Sequence, residues 1–121
     1  MSKSILLVDD EQVVVEIAKR RLEDRGFVVY TAGNGNEAFQ RLSANIPDLI
    51  FLDVQMPEMN GYTFIMEKAK IPEYANVPVV VLTAYNEMEP LFRRHRIKAY
   101  LLKPLKLQDL MDKVAEFAGQ P

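Results

Sequence analysis

The feature that most constrains this fold is a set of short apolar runs spaced along the chain. Residues 5–8, 49–52 and 79–82 are apolar throughout, without alternation between apolar and polar positions. A strand with one face in water alternates, so unbroken runs indicate strands that are covered on both faces. This pattern is typical of a parallel sheet held between two layers of helices.

Two further runs and several helical patterns complete the order of elements. Residues 100–102 form a fourth clear run and residues 27–30 a fifth, weaker one, which makes five predicted strands in all. The clearest amphipathic stripe comes last in the chain and consists of Leu107, Leu110, Met111, Val114 and Ala118. Shorter apolar faces precede it, in chain order Val14, Ile17, Ala18 and Leu22; then Ala38, Phe39 and Leu42; then Phe64, Ile65 and Ala69.

Cap and turn residues predict where these helices begin and end. Gly26 is placed to end the first helix, because glycine tolerates the left-handed conformation found after a last helical turn. Asn36 is a good N-cap for the second helix. A third helix is predicted after Gly61, and a weaker fourth helix between Glu87 and Arg96.

Strand–helix alternation repeated five times indicates an α/β fold with a doubly wound, five-stranded parallel sheet. Right-handed crossovers with helices on both faces predict the strand order 2-1-3-4-5, as in flavodoxin-like folds. The length of 121 residues suits one domain, predicted to span residues 1–121. In this order ligands bind beyond the carboxyl ends of the first and third strands.

Composition excludes several classes of protein. Apolar residues make up 49% and charged residues 26%, as in globular domains. A net charge of −2 gives no basis for direct nucleic-acid binding, and the absence of cysteine excludes disulfides and thiolate metal sites. The N-terminal apolar run is too short for a secretory signal or a membrane span. A cytoplasmic protein without membrane contact is therefore predicted.

Acidic residues follow two strands that should be neighbours. The first strand ends in Asp9 and Asp10, and the third ends in Asp53. Carboxylates this close repel one another and raise each other's pKa unless a cation lies between them. An oxygen-rich site without Cys or His suits Mg²⁺, with Mn²⁺ as a substitute.

The predicted fourth and fifth strands end in groups that complement these acids. Thr83 offers a hydroxyl, Ala84 a backbone N–H and Lys103 an ammonium. Together with acids and a metal, these groups could hold a phosphoryl group on an aspartate. Each residue alone also has an ordinary structural explanation, such as an N-cap, a turn, a strand end or a solvated charge. Their joint placement at one edge of the sheet favours a site.

The motifs resemble those of a known family. Val8-Asp9-Asp10-Glu11, the segment 53–61, Thr83-Ala84 and Lys103-Pro104 are similar to the receiver domains of two-component response regulators, and the similarity covers nearly the whole chain. The resemblance implies a phosphorylatable signalling switch rather than an enzyme. Its phosphoryl group would come from a histidine kinase or a phosphotransfer protein in a Mg²⁺-dependent reaction.

The same resemblance implies roles for the acidic residues and one loop residue. Asp53 corresponds to the phosphoacceptor and is also a metal ligand. Asp10 corresponds to a direct metal ligand, whereas Asp9 acts largely through water and hydrogen bonds. The backbone carbonyl of Gln55 corresponds to a further metal ligand.

Roles for the remaining strand ends follow in the same way. Thr83, Ala84 and Lys103 correspond to the groups that bind the phosphoryl oxygens, and Asp53, Thr83 and Lys103 form the catalytic set. Thr83 and Tyr100 correspond to the switch residues. A downstream protein target would bind the face made by the predicted fourth helix, the fifth strand and the fifth helix.

Three other classes of protein share parts of this pattern. A degenerate receiver would bind proteins independently of phosphorylation. An aspartate-nucleophile phosphatase of the haloacid-dehalogenase type needs a second Asp two residues after Asp53, where Gln55 stands. A flavodoxin needs a phosphate-binding loop after the first strand, where Asp9 and Asp10 would repel a flavin phosphate. Whether the chain stands alone or belongs to a longer regulator stays open.

Overall fold

The structure is a computed structural model that describes residues 2–54, 61–83 and 97–121. In these ranges the elements are β1 (Ser4–Val8), α1 (Gln12–Asp24), β2 (Val28–Ala32), α2 (Gly35–Ala44), β3 (Leu49–Asp53), α3 (Gly61–Ala69), α4 (Pro72–Ala75), β4 (Val79–Thr83), β5 (Ala99–Leu102) and α5 (Leu107–Phe117). The fourth helix predicted between Glu87 and Arg96 lies outside the described residues. No helix within these ranges has both the length and the apolar character needed to cross a membrane.

The five strands form one sheet in the order β2-β1-β3-β4-β5, and every pairing is parallel. This confirms the predicted fold class and strand order. Val8 lies opposite Ala32 and Leu52 in the register, and Thr83 lies opposite Leu102. The carboxyl ends of the strands therefore meet at one edge of the sheet.

Helices cover both faces of the sheet, which explains the unbroken apolar runs. Every residue of β1, β3 and β4 is buried, as predicted. On one face, side chains such as Leu7 and Phe51 pack with apolar residues of α1 and α5. On the other face, Leu6 and Ile50 pack with residues of α2 and α3. The two core layers hold the central strands rigidly in register.

The end of α1 was predicted correctly, but part of its buried face was not. Gly26 has φ 101° and donates its N–H to the Glu23 carbonyl at 2.9 Å, so it ends the helix as expected. The buried residues of α1 are Val15, Ala18 and Leu22. The inward placement of Ile17 is wrong, since its side chain is 56% exposed. Helical spacing puts residues 15, 18 and 22 on one stripe and turns position 17 away from it.

The N-cap of α2 is Asn34, so the prediction of Asn36 is wrong. The Asn34 side chain accepts a hydrogen bond from the Glu37 N–H at 2.9 Å. The Glu37 carboxylate reaches back and accepts from the Gly33 N–H at 2.8 Å. This reciprocal arrangement needs an acid three residues after the cap, and only position 34 has that spacing to Glu37.

In α3, Phe64 and Ile65 are buried as predicted, but Ala69 is exposed. The other buried residues of this helix are its first residue, Gly61, and Lys68. Position 68 lies one helical turn after Phe64, so it points toward the core although its side chain is charged. The short α4, which the sequence did not predict, follows directly and approaches this lysine.

Candidate functional site

Three carboxylates meet at the carboxyl edge of the sheet. Asp9 follows β1 directly, Asp53 is the last residue of β3, and Asp10 lies beside Asp9. Each offers one oxygen, and these oxygens all lie within 4.8 Å of one another. Asp9 and Asp53 are buried, whereas Asp10 is exposed. The structure thus brings together the acids that the sequence places at these two strand ends.

This donor set fits a hard divalent cation. All of its ligand atoms are carboxylate oxygens, which Mg²⁺ prefers over nitrogen or sulfur. The exposed side chain of Asp10 leaves one side of the cluster open to solvent. A magnesium ion keeps several waters, so it needs an open side of this kind. The three aspartates could therefore hold Mg²⁺.

Lys103 places its ammonium against three acidic side chains. Its Nζ lies 2.8 Å from Glu11 Oε1, 3.1 Å from Asp53 Oδ2 and 3.3 Å from Asp9 Oδ2. Burial by itself lowers the pKa of Lys103. The hydrogen bonds to Glu11 and Asp53 and the charges of both aspartates outweigh that effect and raise the pKa above its ordinary value. Lys103 is thus a protonated, mostly buried cation rather than a solvated surface charge.

Asp9 is a buried carboxyl whose ionised form is disfavoured at this edge. Burial raises the pKa of Asp9 from 3.8 to about 6. The hydrogen bond from the Glu11 N–H and the charge of Lys103 lower this pKa, but by less than burial raises it. The Asp53 carboxylate adds to the rise. The Glu11 N–H lies 2.9 Å from Asp9 Oδ1. Additional positive charge among these acids would favour the ionised form of Asp9.

Thr83 and Tyr100 occupy the neighbouring strand ends. Thr83 is the buried last residue of β4, and its carbonyl accepts from the Lys103 N–H at 2.7 Å. Tyr100 in β5 is half-buried and packs against the core layer that contains α2 and α3. Gln55 and Ala84, to which the family resemblance gives roles at the metal and the phosphoryl group, lie outside the described residues.

Two contributors to the site were missed by sequence reasoning. Glu11 stands in the sequence only as part of a motif, yet it makes the shortest of the three contacts to Lys103. Gly61 opens α3 against the end of β3, where a Cβ would lie 2.5 Å from Val54 Cα and 2.9 Å from the Asp53 carbonyl oxygen. A glycine that opens a helix after the acidic strand end was the available signal for this close approach.

The topology of the sheet and the position of the acidic cluster are those of a known class of α/β domain. A parallel 2-1-3-4-5 sheet with clustered aspartates at its switch point is a doubly wound α/β domain of the flavodoxin-like type. A family model of the response regulator receiver domain matches residues 5–115. The chain therefore belongs to the receiver domains of two-component response regulators, which are signalling regulators whose general function is that of a phosphorylation switch.

Individual relatives agree with this assignment. The chain is 35% identical over 119 residues to the transcriptional regulatory protein CrdR of Helicobacter pylori, a match that covers 97% of this chain and 55% of CrdR. It is 34% identical over 115 residues to a 14.6 kDa protein of Leptolyngbya boryana, covering 93% of this chain and 88% of that protein. This chain thus spans about half the length of CrdR.

A solved structure supports the fold directly. The chemotaxis response regulator CheY4 of Vibrio cholerae superimposes with a TM-score of 0.89 at 25% identity. The match covers 97% of this chain and 99% of CheY4. Strand order and helix placement are therefore those of a CheY-like domain.

Proposed function

We propose that this chain, residues 1–121, is a receiver domain that accepts a phosphoryl group on Asp53 in a Mg²⁺-dependent reaction. The donor is a phosphohistidine of a histidine kinase or a phosphotransfer protein. The observation that carries this proposal is the position of Lys103, whose Nζ lies 3.1 Å from Asp53 Oδ2 inside the acidic cluster. That arrangement sets a nucleophilic carboxylate beside a fixed positive charge.

The transfer forms one bond and breaks one bond. A carboxylate oxygen of Asp53 attacks phosphorus, and the electron pair of the P–N bond returns to the imidazole nitrogen of the donor. The product is an acyl phosphate on Asp53. Charge develops on the phosphoryl oxygens during this step, so the reaction depends mainly on positioning and electrostatic stabilisation.

Residues around Asp53 supply this stabilisation. Lys103 is protonated and already within hydrogen-bond distance of Asp53, so its ammonium can move to a phosphoryl oxygen with little rearrangement. The Thr83 hydroxyl and the Ala84 N–H provide further donors. Asp10 and Asp53, the Gln55 carbonyl and, through water, Asp9 would hold Mg²⁺. When bound, this ion supplies positive charge that offsets the carboxylates and the phosphoryl oxygens.

Phosphorylation then changes the surface that a target protein reads. A phosphoryl oxygen on Asp53 gives Thr83 a strong acceptor, and the movement of Thr83 makes room for Tyr100 to turn inward. The affected face comprises the predicted fourth helix, β5 and α5, and its partner is a downstream protein rather than nucleic acid. A two-state equilibrium biased by the phosphoryl group is sufficient for this coupling.

The phosphoacceptor is tested by mass spectrometry of the intact protein after incubation with acetyl phosphate. Wild type should gain one phosphoryl group with Mg²⁺ and none with excess chelator. Asp53→Asn should gain none, whereas the exposed control Asp24→Asn should behave as wild type. Equal uptake by wild type and Asp53→Asn would refute the assignment. No uptake by wild type would favour the alternative of a degenerate receiver that binds partners without phosphorylation.

Lys103 is tested by its replacement with alanine. Lys103→Ala should still accept some phosphate, but more slowly, because the electrostatic stabilisation of the phosphoryl oxygens is lost. Lys106→Ala removes an exposed lysine three residues later and serves as the matched control. Unchanged rates in Lys103→Ala would make this residue a bystander.

The switch is tested by NMR with beryllofluoride as a mimic of the phosphoryl group. Shifts should extend from Asp53 to Thr83, Tyr100 and the amides of α5 in wild type. In Lys103→Ala the shifts near Asp53 should remain, whereas those at Tyr100 and in α5 should be weakened or lost. Shifts that stay confined to the residues around Asp53 would contradict the proposed coupling.

A further inference from the structure

A buried lysine, Lys68, lies at the amino ends of the strands, at the edge of the sheet opposite the acidic cluster. Lys68 in α3 is only 6% exposed, and its Nζ donates to the Ala75 carbonyl at 3.3 Å. Across the described part of the chain, the ion pairs involve Lys70, Lys103 and Lys113, and none involves Lys68. A buried ammonium without a counter-charge is costly. Its retention at a core-facing position therefore needs an explanation.

Lys68 lines a cleft together with a second lysine. The cleft has a volume of about 80 Å³ and includes Lys98 and Asn76 in its wall. Val79 and Lys98 place it at the amino ends of β4 and β5. Asp53 and Thr83 lie at the carboxyl ends of their strands, so this cleft is separate from the phosphorylation site.

We propose that the cleft between Lys68 and Lys98 binds a small tetrahedral oxyanion of the phosphate or sulfate class. An ammonium has three N–H donors, and that of Lys68 uses one for the Ala75 carbonyl among the described residues. Lys98 and Asn76 line the same cleft and are both exposed, so a second positive charge lies at its rim. The volume exceeds the roughly 30 Å³ of a water molecule in the liquid, which leaves room for a small ion.

The surroundings of Lys68 strengthen its attraction for an anion. Val77, Pro78 and Val79 also line the cleft, and burial of the Lys68 ammonium away from bulk water strengthens its attraction for a charge beside it. Burial lowers the pKa of Lys68 from 10.5 to about 8, and no acidic side chain among the described residues forms an ion pair with it. A bound anion would supply that counter-charge. The alternative is that Lys68 acts solely as a cap on the last carbonyls of α4, which would explain its hydrogen bond to Ala75 but gives no role to Lys98.

The test is an NMR titration of the full chain with sodium phosphate and sodium sulfate at pH 7, without magnesium. Sodium chloride at matched ionic strength corrects for general salt effects, and sodium acetate tests a planar carboxylate. We expect saturable shifts at the amides of Asn76, Val77 and Lys98, with a dissociation constant of about 1–10 mM for phosphate. Asp53→Asn should bind equally well, which separates this site from the phosphoacceptor.

Three variants decide the assignment. Lys68→Met should weaken binding at least about ten-fold, because it removes the buried charge. Lys98→Gln should weaken it about three-fold, because that charge is exposed. Lys70→Met changes an exposed lysine of the same segment, paired with Glu67, and should leave binding unchanged.

Several results would overturn the proposal. They are the absence of saturable shifts in wild type, equal binding by Lys68→Met, and equal affinity for acetate and phosphate. Lys98→Gln lies at the exposed rim, so it keeps the test valid if Lys68→Met fails to fold. Unchanged phosphate binding by Lys98→Gln would also count against a two-lysine site.

Discussion

Lys103 Nζ lies 2.8 Å from Glu11 Oε1, a shorter contact than the 3.1 Å between the same ammonium and Asp53 Oδ2. The Glu11 side chain is 55% exposed, whereas that of Asp53 is 3% exposed. Glu11 can therefore leave Lys103 by turning into solvent, but Asp53 cannot. In the proposed reaction, Glu11 competes with the phosphoryl oxygens for this ammonium.

Glu11→Gln is expected to speed phosphorylation of Asp53 by acetyl phosphate. The substitution removes a negative charge that holds Lys103 and also repels the donor. Because Glu11 is largely exposed, the gain should stay near 1 kcal/mol or about five-fold in rate. The measurement is the rate of phosphoryl uptake by intact mass with saturating Mg²⁺. Glu23→Gln makes the same charge change at the distant end of α1 and is the control. Slower phosphorylation of Glu11→Gln than of wild type would contradict the competition between Glu11 and the phosphoryl oxygens for Lys103.

Gly61→Ala is expected to disturb the segment that carries Asp53. The added Cβ would meet Val54 Cα at 2.5 Å and the Asp53 carbonyl oxygen at 2.9 Å, and neither backbone atom can yield easily. We expect a loss of about 1–3 kcal/mol in the free energy of unfolding, together with slower phosphorylation. Urea denaturation followed by circular dichroism measures the first effect.

Gly33→Ala is the matched control for this substitution. Its Cβ would meet only the flexible Glu37 Oε2, at an ordinary 3.7 Å. The free energy of unfolding should therefore change little. Equal losses in Gly33→Ala and Gly61→Ala would show that the close approach of Gly61 to β3 is unimportant.

Lys68→Met is expected to stabilise the protein at pH 7 in chloride buffer. The pKa of Lys68 is lowered from 10.5 in the unfolded chain to about 8 in the folded protein. The unfolded state therefore binds more protons between these two pH values, and the stability of wild type rises with pH across that range. Below pH 8 the buried charge costs up to about 3–4 kcal/mol, at roughly 1.4 kcal/mol per unit of pKa.

The stabilising effect of Lys68→Met should accordingly shrink between pH 8 and pH 10.5. Urea denaturation of wild type and variant at several pH values in this range measures the difference. Lys70→Met, which changes an exposed lysine, should show a small and constant difference. A Lys68→Met effect that is independent of pH would mean that the charge of Lys68 is not the cause.

Asn34→Ala is expected to destabilise the protein by about 1 kcal/mol, because α2 loses its N-cap hydrogen bond. Asn36→Ala changes an exposed residue inside the first turn of α2 and should be neutral or slightly stabilising. Thermal unfolding of the two variants compares them directly. A larger loss of stability in Asn36→Ala than in Asn34→Ala would instead support Asn36 as the N-cap of α2.

The order of the residues was sufficient to predict the fold and the edge of the sheet on which the site forms. Apolar runs at residues 5–8, 49–52 and 79–82 reflect burial on both faces, a property that each strand carries locally. Right-handed crossovers then leave few strand orders. The acids after β1 and at the end of β3 must meet because neighbouring parallel strands end at the same edge. Asp9, Asp10 and Asp53 are therefore identifiable as one group from the order of the residues alone.

The partners of the charged side chains, in contrast, depend on how distant segments of the chain pack together. Glu11 and Lys103 are separated by 92 positions in the chain, and no local pattern predicts that their atoms lie 2.8 Å apart. The burial of Lys68 was not predicted, because a lysine in a helix is normally exposed to solvent. Its burial depends on where α4 and the start of β4 lie against α3. Such contacts arise from the packing of separate segments, which local periodicity does not encode.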